Sequence, residues 1–229
     1  MTKPTRGGNY PPTIEGFHNL HAGETCVIIC NGPGQLDIPD SFLNQHVTFG
    51  SNTLFEREGF TPTYYCAVDS RIVREDWLRE GVEKAYSDIP KFVPTPNLDH
   101  WQGPLFYRFR HRPGPLWPRT DKPLYTRDFL NDDGIQFNCV THVLMQMAIF
   151  MGFDTLLCVG IYHKNPSLHF WGNDENAGGI PNLDDWASGY FEIAKGFEYD
   201  RGGQIINISS ETYLPEDVLR RGNWKDYEL

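Results

Sequence analysis

The stretch Thr25-Cys26-Val27-Ile28-Ile29-Cys30-Asn31-Gly32-Pro33-Gly34 decides the fold. From Thr25 to Cys30 it is a continuous β-branched and apolar run, the pattern of a strand buried on both faces of a parallel sheet. It then turns at once into Asn31-Gly32-Pro33-Gly34, a loop without large side chains, where a ligand's phosphate can approach backbone amides. The loop lacks the GxGxxG spacing of the dinucleotide fingerprint and the GK[ST] of a P-loop. Neither a dinucleotide-dependent dehydrogenase nor a P-loop NTPase is therefore expected.

Outward from this stretch the same grammar repeats. Val47 to Gly50 reads as a second strand closed by Ser51-Asn52-Thr53, and Tyr64 to Val68 as a third closed by Asp69-Ser70. In open parallel sheets ligands bind outside the carboxyl ends of the strands, so three polar strand ends in succession point to one shared crevice. The apolar positions Ile72, Val73, Trp77, Leu78, Val82 and Ala85 have helical spacing, which predicts a helix from Arg71 to Tyr86 with Asp69 or Ser70 as N-cap. Lys91-Phe92-Val93 reads as a further strand.

Residues 94–123 are dense in Pro, Gly, Trp, Arg and His and read as an insertion or lid, interrupted by Leu105 to Phe109, which alternates like an exposed strand. The second half restarts the pattern. Asn138 to Met151 is apolar along almost its whole length, as in a helix buried against a sheet, and Gly152 stops it. Thr155 to Gly160 is another buried strand. A long polar loop from Tyr162 to Pro181 follows, then a helix from Leu183 to Lys195 and Gln204 to Ile208 as a last strand. This alternation means α/β with a mostly parallel sheet in one domain, residues 25–229, preceded by an N-terminal arm, residues 1–24.

The 229-residue length suits one core, and 39% hydrophobic and 14% aromatic residues are enough to build it. A formal net charge of -10 argues against non-specific binding to nucleic acid or to anionic membrane. Arg108, Arg110, His111 and Arg112 form the one evident basic strip. Cys26, Cys30, Cys66, Cys139 and Cys158 lie mostly in apolar runs, as small buried hydrophobes of a reducing compartment do. No turn separates Cys26 from Cys30, so a zinc knuckle is not expected. No run reaches transmembrane length and the first residues are not signal-like, so the protein is expected to be cytoplasmic, without a membrane span.

Three segments in this order, Val27 to Gly34, Thr48 to Thr53 and Pro62 to Asp69, resemble the nucleotide-binding half of the bacterial sialyltransferase-like superfamily, which includes Maf-type flagellin glycosyltransferases and archaeal hydroxymethylpterin diphosphokinases. Met147 to Ile161 resembles that group's helix, Gly-aromatic turn and strand. His169-Phe170 resembles its later His, and Asn207 to Ser210 its closing strand end. The resemblance spans Thr25 to Leu214 apart from the insertion. It implies a single Rossmann-like domain and a nucleotide-sugar donor held at the strand ends, with no cofactor beyond that substrate. Asn31, Gly32, Pro33, Gly34, Ser51, Asn52, Asp69 and Thr141 are the expected nucleotide-binding residues. Asn31 and Asn52 suit the task because each amide offers a donor and an acceptor, although Asn also satisfies turns and Asp69 also suits a helix cap.

At residues 160–163 the chain departs from the family. Gly160-Ile161-Tyr162-His163 stands where the family has Gly-Ile/Val-Asp, so a carboxylate is missing and no metal is expected in the mechanism. The catalytic candidates are His169, His163 and Tyr162. An imidazole, with a reference pKa of about 6.5, is largely neutral yet basic at neutral pH and can deprotonate an acceptor hydroxyl. His169 ranks above His163 because its polar loop is long enough to fold back over the crevice, where Asp174 and Glu175 are the nearest carboxylates besides Asp69. Tyr162 is placed to donate its hydroxyl to a leaving phosphate. Ser209, Ser210 and the cysteines have no convincing His/Asp partner. The expected activity is inverting, metal-independent glycosyl transfer to a glycan, a protein or a modified base, with a homo-oligomer left open. The alternatives are an ATP- and magnesium-dependent pyrophosphokinase of the pterin type and a non-catalytic nucleotide-binding module.

Overall fold

The computed structural model describes residues 9–68, 73–94, 101, 103, 105–110, 124–126, 128–130, 137, 139–164, 168–173 and 183–229. The strand expected around Thr25 is β1, Thr25–Ile29. Helix α1, Asp40–Leu43, leads to β2, Val47–Ser51, and β3, Tyr64–Cys66. Helix α2, Asp76–Ala85, precedes β4, Lys91–Pro94, and β5, Phe106–Phe109. Helix α3, Val140–Phe150, leads to β6, Thr155–Val159, and a small hairpin, β7, Leu168–His169, with β8, Gly172–Asn173. Helix α4, Leu183–Arg201, is followed by β9, Gln204–Asn207, and β10, Arg220–Arg221.

Eight of these strands form one sheet in the order β10-β9-β6-β1-β2-β3-β4-β5, and every pairing in it is parallel. The α/β fold with a parallel sheet is therefore as expected. From β1 the chain adds β2 to β5 on one side, then returns to place β6 on the other. The order reverses between β1 and β6, and such a switch point opens a crevice at the carboxyl ends of its two strands. The register there is tight, with Ile28 opposite Cys158 and Ile29 opposite Val159.

The pleat explains the apolar run. Cys26, Ile28 and Cys30 join one core with α3 and α4, whereas Val27 and Ile29 join the opposite core with Phe42, Leu43 and Leu54. Helix α3 is buried from Thr141 to Phe150 because it lies in the larger core, and Gly152, at φ 94°, ends it. Its last carbonyls are satisfied by the N-terminal residues: Asn19 N–H donates to Phe150 O and His21 N–H to Met151 O, at 3.1 and 2.8 Å. Phe17, fully buried, meets Tyr64, Phe92 and Tyr107 edge-on. The described part of the N-terminal arm thus packs directly on the sheet.

Several sequence expectations are corrected. The helix expected from Arg71 to Tyr86 is interrupted: Val73 is helical, Glu75 is extended at φ -78° and ψ 127°, and α2 starts only at Asp76, while Arg71 and Ile72 lie outside the described residues. Asp69 and Ser70, the expected caps, lie outside the described residues. The strand at Leu105 to Phe109 is not exposed but the half-buried edge of the sheet, with Tyr107 and Phe109 inside. Helix α4 runs past Lys195 to Arg201, since Gly196 lies under the Tyr125 ring and the turn comes only at Gly202, φ 64°. The loop after Tyr162 carries the β7–β8 hairpin, and β10 follows the strand expected to be last. Most of the 94–123 insertion, including His111 and Arg112, lies outside the described residues. Among the described residues no helix is long and apolar enough to cross a membrane.

Candidate active site

The crevice is built by the two turns that leave β1 and β6. Cys30 N–H donates to Val159 O and Gly32 N–H to Gly160 O, at 2.8 and 3.0 Å, so the Asn31 loop is sewn to the 160–163 segment. A Cβ on Gly32 would collide with the Gly160 carbonyl and lie 2.9 Å from the Tyr162 Cβ. Only glycine allows this approach. Pro33 opens a 3-10 turn, Pro33–Asp37, and Gly34 packs beside Ser210 at the end of β9. Ser210 Oγ donates to Asp37, tying that strand end to the same turn.

Asn31 is 9% exposed. Its Nδ2 donates to the buried Ser51 Oγ at 3.5 Å, and its Oδ1 is shielded and has no partner among the described residues. Asn52, at the end of β2, holds a left-handed backbone at φ 46°, and its carbonyl accepts from the Tyr65 hydroxyl at 2.8 Å. Its Oδ1 is likewise shielded and has no partner among the described residues. Buried polar atoms are nearly always hydrogen-bonded, so two orphan amide oxygens at adjacent strand ends demand an explanation. Thr141, in the first turn of α3, reaches Cys30 through its Oγ1, 3.4 Å from the Cys30 Sγ. Burial pushes the Cys30 thiol up to about 12, so it is a packing group and not a thiolate.

The β7–β8 hairpin folds back over these strand ends. Phe170 N–H donates to Asn31 O and Trp171 Nε1 to Thr53 Oγ1, both at 2.8 Å. The His169 ring stacks on Trp171 at 5.1 Å and 14°. His163 lies half-buried on the β6 turn, with a left-handed backbone at φ 55° and a shielded Nδ1 that has no partner among the described residues. Burial lowers its pKa and Asp184 opposes that shift, so the imidazole stays neutral near pH 7. Tyr162 meets Tyr213 edge-on at 5.4 Å. Desolvation, then Glu211 and Tyr213, raise its phenol, which keeps the proton it can donate. Lys164 sits over the Tyr213 ring at 4.2 Å and bonds its hydroxyl at 3.1 Å.

Asn31, Gly32, Pro33, Gly34, Ser51, Asn52, Thr141, Tyr162 and His163 are thus gathered around one switch point, and His169 is carried over it by the hairpin. Asp69, Asp174 and Glu175 lie outside the described residues, and among those described no group of three or more metal-ligating side chains occurs. Sequence reading missed Thr53 and Trp171, which anchor the hairpin. They pair across 118 residues, and no local periodicity signals such a contact.

No protein-family model and no curated protein matches the chain. Solved structures do. The sialyltransferase CstII from Campylobacter jejuni, in complex with a substrate analogue, cytidine-5'-monophosphate, is similar over 91% of this chain and 88% of its own, with a TM-score of 0.52 and 11% identity. A Tyr-to-Phe variant of the sialyltransferase CST-II in complex with CMP is similar over 86% of each chain, with a TM-score of 0.50 and 11% identity. At this identity the likeness is one of fold alone.

Proposed function

We propose that the protein is a glycosyltransferase that takes a sugar from a nucleotide-sugar donor to an acceptor hydroxyl, by inversion and without a metal. The observation that carries this reading is the pair of shielded amide oxygens of Asn31 and Asn52 at the switch-point crevice, neither with a partner among the described residues, under a histidine-bearing hairpin. These oxygens suit the donors of a ribose or a base edge, and since Gly32 N–H already donates to Gly160 O and Pro33 carries no N–H, a phosphate would meet this turn at Gly34. His169 is the base that takes the acceptor proton, and His163, a neutral imidazole on the β6 turn, is the second candidate for that role. Tyr162 donates its hydroxyl to the departing nucleoside phosphate.

The fold-level likeness to proteins crystallised with CMP makes a cytidine nucleotide the donor class to test first. Calorimetric titration with CMP, with UDP and with ATP plus magnesium separates the readings. Binding of CMP without magnesium is the expected result. Binding of ATP only with magnesium would move the protein to phosphoryl transfer, and no binding of any of them removes the nucleotide site.

A further inference from the structure

Arg57 is a buried cation that the reaction scheme above does not use. It follows the 3-10 turn Leu54–Glu56, is 9% exposed, and lies over the Phe60 ring at 5.4 Å. Taking a guanidinium out of water is costly, and the cost is offset only where its donors are well placed. Here they all converge on one short segment. Nη1 donates to Gln35 O at 2.8 Å and to Gln35 Oε1 at 3.2 Å, and Nη2 to Ile38 O at 2.9 Å. Nε and Nη2 both donate to Asp40 Oδ1, at 3.1 and 2.5 Å.

That segment is the continuation of the Asn31 loop. The backbone bonds at its two ends are long, Gln35 N–H to Gly32 O and Ile38 N–H to Gln35 O, each at 3.3 Å, although Gln35 and Ile38 are buried and Ser210 bonds Asp37. Leu36 is 55% exposed and anchors nothing. The planar fork of Arg57 therefore supplies the strong bonds that fix where the 3-10 turn ends, and with it where Gly32 and Gly34 present their backbone.

We infer that Arg57 is a positioning residue for the nucleotide: without touching ligand, it pre-orders the residue 32–38 backbone against which the donor phosphate packs. This rests on the proposed nucleotide site. Pre-ordering a loop removes an entropy cost from each binding event, so its loss falls on donor affinity. Lysine cannot replace the fork, because one ammonium cannot span Gln35, Ile38 and Asp40 in a plane.

The test uses Arg57→Lys and, because a buried arginine can be needed for folding, Asp40→Ala at a half-exposed position. CMP is the probe for affinity, and amide hydrogen exchange is read across residues 32–38 and across α3. Arg57→Lys is expected to weaken CMP binding roughly tenfold, mid-range for a lost member of a hydrogen-bonded network, and Asp40→Ala by less. In both, exchange should quicken at 32–38 and stay unchanged in α3. A merely structural Arg57 would lower Tm while leaving CMP affinity at 25 °C and local exchange as in the wild type, and that result overturns the inference. If the wild type binds no CMP, the functional reading has failed on its own. The nucleotide role of Arg57 falls with it, and exchange at 32–38 then reads only the ordering of the turn: faster in the variants keeps that part of the inference, unchanged refutes it.

Discussion

At the scale of single residues, the site rests on atoms left without partners. A shielded carbonyl oxygen with no donor costs about 1–3 kcal/mol, and a fold retains that cost where a ligand removes it. Asn31 has the clearest case, since its Nδ2 donates to Ser51 while its Oδ1 has no partner among the described residues. Asn31→Ala should weaken CMP binding by roughly 1–2 kcal/mol, the scale of one lost hydrogen bond with its desolvation. Calorimetry on the folded variant checks this, and unchanged affinity would remove Asn31 from the site. Asn31, Gly32 and Asn52 were legible in sequence because small polar residues directly after an apolar run mark a strand end. The role of Ser51 was only half legible: it is fully buried and holds Asn31. Arg57 was not legible at all, because its partners at Gln35, Ile38 and Asp40 are reached only after the chain has folded back.

At the scale of elements, the sheet strands were read well because burial on both faces leaves a continuous apolar run, whereas β10, two residues long, has no period to show. The β7–β8 hairpin was equally invisible, and only the length of its loop hinted that it could return over the crevice. It brings His169 above the strand ends through two hydrogen bonds, from Phe170 to Asn31 and from Trp171 to Thr53. An alcohol is a weak nucleophile at neutral pH and needs a group of intermediate pKa to take its proton as the new bond forms. His169→Ala should lower turnover by about 10²–10⁴-fold while donor affinity changes little. Steady-state rates with CMP affinity measured in parallel make the comparison. Near-normal turnover in that variant, with loss in His163→Ala, would transfer the role to the imidazole on the β6 turn, whose shielded Nδ1 and lowered pKa already suit it.

At the scale of the whole molecule, the core stores titratable groups that oppose one another in the response of stability to pH. Burial raises the thiols of Cys26, Cys30, Cys66, Cys139 and Cys158 above their ordinary value. In the unfolded chain these thiols ionise near pH 8.5, so above that pH the folded state binds more protons and stability falls. Lys91 works the other way. It is 2% exposed at the start of β4, donates to Tyr86 O and Ile89 O at 2.6 and 2.7 Å, and lies over Phe106 at 5.0 Å. Desolvation lowers its pKa to about 8 against the pull of Asp88 and Glu83. Unfolded, it titrates near about 10.4, so between these values the unfolded state holds the extra proton and the Lys91 contribution rises with pH, by at most about 1.4 kcal/mol per unit. Five thiols outweigh one amine, and net stability is expected to fall above about pH 8.5. Urea unfolding of the wild type and of Lys91→Met from pH 7 to 10 isolates the smaller effect. The fall should be steeper in Lys91→Met, and the wild-type advantage should grow with pH. Parallel curves would mean that the two carbonyls keep Lys91 protonated throughout, and its burial would then be compensated by hydrogen bonding and not by loss of charge.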